Sequence, residues 1–380
     1  MNLSHWENDI YFSNSDVVII GSGIVGLSAA LNFKLSNPKL KILVLERGVL
    51  PSGASTKNAG FACFGSVSEL MDDLTRESEN EVFSLVEKRW KGLKRLRKNL
   101  GDKAIDYQGL GGFEVFGKGD EMLHLQCSGK VEDFNKILKK ITGKRFTYKR
   151  SDEKIKKLGI SNISHIIENT SEGQIDTGKM MHALIKKVQK MGVIILNGIS
   201  VATFLNDGKT VRIKTDKDFE FSAKRMLVCT NGFAKQLLPD YPVNPARAQV
   251  IVTSPIKNLK LKGAFHYNKG FYYFRNIGNR VLIGGGRNLD FKGEETSEFG
   301  ITEQIQNKLE EMLRTIIIPY SRDYKIEHRW SGIMGVGPQK SSIIKNVGGN
   351  VFCAVRMGGM GIAIGSLVGE EAAEMVLKSF

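Results

Sequence analysis

The sequence predicts an α/β chain, α+β overall. A Rossmann-like dinucleotide-binding domain, discontinuous along the chain, carries an inserted second domain built on an antiparallel sheet. Three observations predict it. Residues 16–47 read as buried strand, glycine turn, helix and buried strand. Residues 246–286 read as several longer strands. Residues 350–380 read again as strand, glycine turn and helix, so nucleotide-type turns stand at both ends of the chain.

The elements follow in order. Val17, Val18, Ile19 and Ile20 suit a strand buried on both faces, as in a parallel sheet. Ile24, Leu27, Leu31 and Leu35 recur at helical spacing, and Ser36-Asn37-Pro38-Lys39 ends that helix. Residues 41–47 supply the second strand, which completes a βαβ unit. A glycine- and serine-rich loop spans 48–66, followed by charged helices over 67–100 and 119–141 with a strand between them. An amphipathic helix over 176–192 takes Asp176 or Thr177 as its cap. Strands follow it, the last of them (225–234) buried and ending in a polar turn. A helix near 301–315 and a strand through 325–335 precede the terminal unit. The expected division is 1–66, 160–235 and 335–380 for the nucleotide domain, and 67–159 and 236–334 for the inserted one.

Composition narrows the class. The chain has 380 residues, 41% of them apolar, which is ample for two cores. No apolar run is long enough for a membrane span, and the first sixteen residues lack a signal-peptide core. The four cysteines (Cys63, Cys127, Cys229, Cys353) have no metal-ligand spacing and read as reduced thiols. A cytoplasmic protein is expected. Its net charge of +15 is concentrated in 87–103 and 136–157. A solvated helix face is the default reading, and peripheral membrane contact is left open. No nucleic-acid motif accompanies the charge, so nucleic acid is not expected as a partner.

Gly21, Gly23 and Gly26 form G-x-G-x-x-G between strand and helix. The first permits the tight turn, the second lets backbone approach a pyrophosphate, and the third lets helix and strand pack closely. The helix start presents free N–H groups to phosphate. Glu46 ends the second strand, where a carboxylate hydrogen-bonds ribose hydroxyls and repels a 2′-phosphate, which argues against NADP. The terminal turn has Gly358, Gly359 and Gly361 before a helix, with Arg356 beside them. A helix start there would favour negative charge on a bound group.

The segments "GSGIVGLSAALNF", "LVLERGVLPSGASTKNAGFA" and "VRMGGMGIAIGSLVGEEAAEMV" resemble the D-amino-acid oxidase, glycine oxidase and sarcosine oxidase family of flavoproteins. The likeness is strongest at the two ends. It implies a D-amino-acid oxidase or glutathione reductase-like fold and FAD as cofactor. It places Ser55, Thr56, Asn58, Ala59 and Gly60 at the pyrophosphate and flavin. Val201 falls at the adenine, and Thr230, Asn231 and Gly232 at the strand-end turn. With Ile24, Val25, Arg47, Arg356, Met360 and Ile362, these residues and the glycines complete the expected cofactor set. Cys353 reads as strand packing and Cys63 as a loop thiol, so the FAD is expected to be non-covalent.

The resemblance implies oxidation of a C–N bond in an amine or amino acid, with hydride passing to the flavin. A substrate carboxylate would want an arginine fork and a tyrosine hydroxyl. Relatives place a substrate tyrosine where Tyr272 stands; Tyr273 and Arg275 share the opposite face of that strand, and only one set can face a pocket. Relatives also carry an arginine where this chain has Met334. Either Arg356 takes its place or the substrate is no simple amino acid. His328 is a candidate acid/base group, and oxidation of a 2-hydroxy acid stays open. A tRNA-modifying flavoprotein is a further alternative. The electron acceptor is open among oxygen, a quinone and a carrier protein.

Overall fold

The computed structural model describes residues 3–321 and 323–380; the first two residues of the expected nucleotide domain lie outside this range. β1 (Ser15–Ile20) and β2 (Ile42–Glu46) pair in parallel around the helix Ile24–Ser36. Their side chains alternate between two cores. Val17, Ile19, Ile42 and Val44 feed the one shared with that helix, and Val18, Ile20, Leu43 and Leu45 feed the other. Burial on both faces explains the unbroken apolar runs.

The first sheet runs β17 (Ile343–Gly348), β18 (Val351–Val355), β11 (Glu220–Val228), β1, β2, β8 (Ile194–Asn197). Antiparallel β10 (Val211–Thr215) joins β11, and β9 (Val201–Asn206) joins β10. β11 lies between β1 and β18, and Leu227 pairs in parallel with Ile19 on one side and with Phe352 on the other. The two ends of the chain therefore meet in one sheet. The terminal helix Gly361–Leu377 lies against Ile24–Ser36, with Gly369 packed on Ser28 and Val25.

The second sheet runs β16 (Ile326–Val336), β12 (Asn244–Thr253), β15 (Arg280–Gly285), β14 (Tyr272–Ile277), β13 (Ala264–Tyr267), β4 (Gly112–Gly117), β6 (Ile163–Asn169), β5 (Tyr148–Arg150). Its pairs are antiparallel except β13 with β4. A short antiparallel pair, β3 (Phe61–Ala62) and β7 (Gly173–Gln174), lies at the loop that follows β2.

Three readings of the sequence need correction. Residues 163–169, inside the range 160–235 expected for the nucleotide domain, form β6 of the second sheet. The helix over 67–100 is two helices, Val67–Asp73 and Glu79–Leu100, each opened by a serine and a glutamate three residues on in reciprocal capping (Ser66 with Glu69, Ser78 with Glu81). The second of these, expected in the inserted domain, packs instead on the first sheet's helical layer, with Leu85, Leu93 and Leu96 in its core. Gly92 lies so near the terminal helix that a Cβ there would stand 2.3 Å from the Ala363 carbonyl oxygen.

Among the described residues no helix is long and apolar enough to cross a membrane.

Candidate functional site

The turn after β1 is built for close approach. Gly21 adopts φ 105°, and a Cβ on Gly26 would stand 2.1 Å from the Gly21 carbonyl oxygen. The Ile24 N–H donates to Ser55 Oγ at 2.9 Å, so the loop after β2 folds back onto the helix start. Glu46 accepts from Ser22 through one oxygen (Oγ, 2.7 Å) and from the Gly48 N–H through the other (2.9 Å). Its carboxylate is thereby fixed at the strand end.

A cavity of about 570 Å³ starts at this turn and continues past the C-terminal glycine turn to the second sheet. Gly21, Gly23, Ile24, Val25, Glu46, Arg47, Ser55, Asn58, Ala59 and Val201 line it. So do Thr230, Asn231, Gly358, Gly359, Met360, Gly361 and Ile362. The helices starting at Ile24 and Gly361 both open there, and neither has a side-chain cap from its own N-cap residue. Thr230 Oγ1 is buried without a hydrogen-bond partner. Two helix starts, an orphaned hydroxyl and a fixed carboxylate suit a dinucleotide's phosphates and sugars. The Arg47 guanidinium lies over the Phe233 ring, 3.6 Å from its centroid.

Five residues of the expected cofactor set (Gly26, Thr56, Gly60, Gly232 and Arg356) do not line the cavity; they support it. Gly26 packs the first helix against its strand. Thr56 donates to the Pro51 carbonyl at 2.6 Å. Gly60 lies under Arg275, and Gly232 lies under β16, where a Cβ would stand 2.6 Å from the Met334 carbonyl oxygen.

The expected catalytic residues are separated by the structure. Tyr273 lines the cavity, packed edge-on against Phe61, and burial pushes its phenol pKa up. Tyr272, 3% exposed, points the other way into the core of the second sheet, among Phe274, Ile283 and Ile305. Arg275, 5% exposed, donates to the carbonyls of Gly60 (2.9 Å) and Ile175 (2.8 Å), and burial pushes its pKa down to about 10. Arg356 is also committed to backbone, with Nε donating to Ser341 O at 2.9 Å and Nη1 to Pro242 O at 3.4 Å. It does not fill the place of the arginine replaced by Met334. His328 is exposed on β16, outside the cavity. Met334 does line the cavity, its sulfur facing Gly359.

Sequence reasoning passed over the groups at the cavity's far end. Phe61, Glu69, His266 and Arg287 line it there. Lys340 is ion-paired with Asp73, and Lys269 with Asp72. Arg287 follows the Gly284–Gly286 run that ends β15. Its guanidinium lies over Phe291, 4.9 Å from the ring centroid, and among the described residues it has no hydrogen-bond or ion-pair partner. Burial lowers its pKa. The run "GGGR" was the available signal, since three glycines open the room that an arginine then enters.

The comparisons with known proteins show the family and the fold. The model of the DAO family, FAD dependent oxidoreductase, matches residues 16–375. A probable oxidoreductase OrdL of Rhizobium meliloti (strain 1021) is 24% identical over 379 residues, spanning 96% of this chain and 83% of its own length. Glycine oxidase from Bacillus cereus ATCC 14579 superposes with a TM-score of 0.76 at 16% identity, covering 97% of this chain and 96% of its own. L-proline dehydrogenase from P. horikoshii gives 0.75 at 19%, covering 96% and 94%. At these identities the structural likeness is one of fold. With a family match over nearly its full length, the chain belongs to the DAO family of FAD-dependent oxidoreductases.

Proposed function

We propose that this chain oxidises the C–N bond of an amine or amino acid. Bound FAD supplies the hydride acceptor. The observation that carries the reading is the unpartnered Arg287 guanidinium, on the same cavity as both nucleotide turns. A half-buried arginine stacked on an aromatic ring, without a hydrogen-bond or ion-pair partner among the described residues, is suited to a substrate carboxylate, which it would grip through two parallel hydrogen bonds.

The remaining residues supply orientation and exclude water. Phe61 and Tyr273 form an aromatic wall, and Met334 closes the side toward Gly359. The Gly361 helix start offers N–H groups where negative charge would gather. Asn58 organises the loop between the sheets, accepting from the Gly60 N–H (2.8 Å) and Thr177 Oγ1 (2.7 Å). Trp330 Nε1 donates to the Lys57 carbonyl at 2.9 Å, so β16 holds the same loop. An amine that enters neutral needs no general base for hydride departure. The neighbours named glycine oxidase and L-proline dehydrogenase lend the reading support by analogy of fold.

The test is turnover with a panel of amino acids, amines lacking a carboxylate, and 2-hydroxy acids, scoring release of the carbonyl product and ammonia. Amino acids should turn over best. Turnover confined to hydroxy acids would replace this reading with 2-hydroxy-acid oxidation.

A further inference from the structure

We propose that Cys63, Glu172 and His266 form a binding site for a zinc-class divalent cation, at the seam between the β3–β7 pair and the second sheet. The inference is independent of the substrate reading above.

Three segments remote in sequence converge there. β3 pairs with β7 so that Ala62 faces Gly173, which puts Cys63, one residue on, beside Glu172, one residue back. His266 comes from β13. All three residues are buried, and their ligand atoms lie within 4.8 Å of one another. Glu172 is held by the N–H groups of Phe64 (2.8 Å) and Gly65 (3.0 Å), both on Oε1, which leaves Oε2 toward the histidine. Gly112 makes room for it, since a Cβ there would stand 2.0 Å from Oε2.

The second, independent observation is the histidine. His266 is 6% exposed, it lines the cavity, and its Nε2 is buried with no hydrogen-bond partner. It stands 3.8 Å from Glu172 Oε2, while its Nδ1 stands 3.7 Å from Glu69 Oε2. A charge-assisted hydrogen bond would close to roughly 2.7–2.9 Å. An imidazole nitrogen and a carboxylate oxygen on one tetrahedral zinc, with bonds of about 2.0–2.2 Å, lie roughly 3.3–3.5 Å apart. The Nε2–Oε2 gap of 3.8 Å lies nearer that spacing than a hydrogen bond's. Glu69 behind Nδ1 occupies the place of the carboxylate that orients a metal-bound imidazole.

Thiolate, imidazole and carboxylate together select zinc over magnesium or calcium, which take oxygen ligands. Cys63 and His266 both line the cavity, so the fourth position is reached from there by water or a small ligand. The cation would fasten the loop over 61–66 to β13.

The test uses the FAD-loaded full-length protein, stripped with a chelator, reloaded with Zn²⁺ and desalted. Elemental analysis should find one zinc per chain. Zinc-edge X-ray absorption should show one sulfur at about 2.3 Å with nitrogen and oxygen at about 2.0 Å. Cys63→Ser should remove the sulfur shell, His266→Ala should weaken Zn²⁺ binding at least 100-fold, and Glu69→Gln should weaken it about tenfold. Cys127→Ser, in a separate core, should change nothing. If Cys63→Ser or His266→Ala fails to bind FAD, Glu172→Gln serves in its place. Substoichiometric zinc in the reloaded wild type, an absorption spectrum without sulfur, or binding unchanged by these substitutions would overturn the proposal.

Discussion

Asn231 Oδ1 accepts from the backbone N–H groups of both Arg356 and Met357, each at 3.1 Å. One side chain thus fastens the turn after β11 to the C-terminal glycine turn. Both partners are strained, with Asn231 at φ 47° and Arg356 at φ 66°, a region that side-chain-bearing residues seldom adopt. Asn231→Ala leaves two N–H groups without an acceptor, a cost of about 2 kcal/mol. FAD affinity should fall roughly 10- to 100-fold, read by fluorescence titration of the apoprotein.

Gly26→Ala should yield no soluble FAD-binding protein, because its Cβ would collide with the Gly21 carbonyl. Gly129→Ala is the contrast. That glycine lies in the helix Glu121–Thr142 with nothing within 4 Å of a new Cβ. Alanine there should stabilise by about 0.5–1 kcal/mol and raise the melting temperature.

Two arginines near the second sheet should separate cleanly. Arg275→Met removes both ties to Gly60 and Ile175, so it should lower thermal stability and FAD affinity. KM for substrate at saturating FAD should move by less than about threefold. Arg287→Met should do the reverse, leaving FAD affinity intact while raising KM for carboxylate substrates about 10- to 100-fold. Substrates without a carboxylate should be nearly indifferent to it.

Acid stability should depend on Glu168. Burial opposes its ionisation, but Lys154 (2.6 Å), Ser151 (2.9 Å) and Lys149 (3.3 Å) outweigh that and hold its pKa below the usual carboxylate value. A depressed carboxylate stabilises the fold above its unfolded pKa of about 4.3, and the contribution is lost as pH falls through the folded value. From pH 5 to pH 3 the wild-type melting temperature should therefore fall more steeply than that of Glu168→Gln. Parallel curves would show that the ion pairs add nothing.

The nucleotide turns were legible because their signals are local: an apolar strand, glycines at fixed offsets, and a helical period all lie within thirty residues. The far end of the cavity was not. Alternation along β14 puts Tyr272 and Tyr273 on opposite faces, but which face meets the cavity depends on sheet order across β13 and β15. Arg275 and Arg356 looked free because their partners are backbone carbonyls contributed by remote segments. Arg287 was hidden by its setting, an arginine among glycines beyond the strand that drew attention. The break between Asp73 and Glu79 was readable from the serine–glutamate spacing at 66–69 and 78–81.

The most direct test is anaerobic mixing of the FAD-loaded protein with an amino acid that turns over, beside the same compound deuterated at the carbon bearing nitrogen. The visible absorbance of oxidised flavin should bleach in one turnover, several-fold more slowly with deuterium. Bleaching by 2-hydroxy acids alone, or by none of the panel, would contradict oxidation at that carbon.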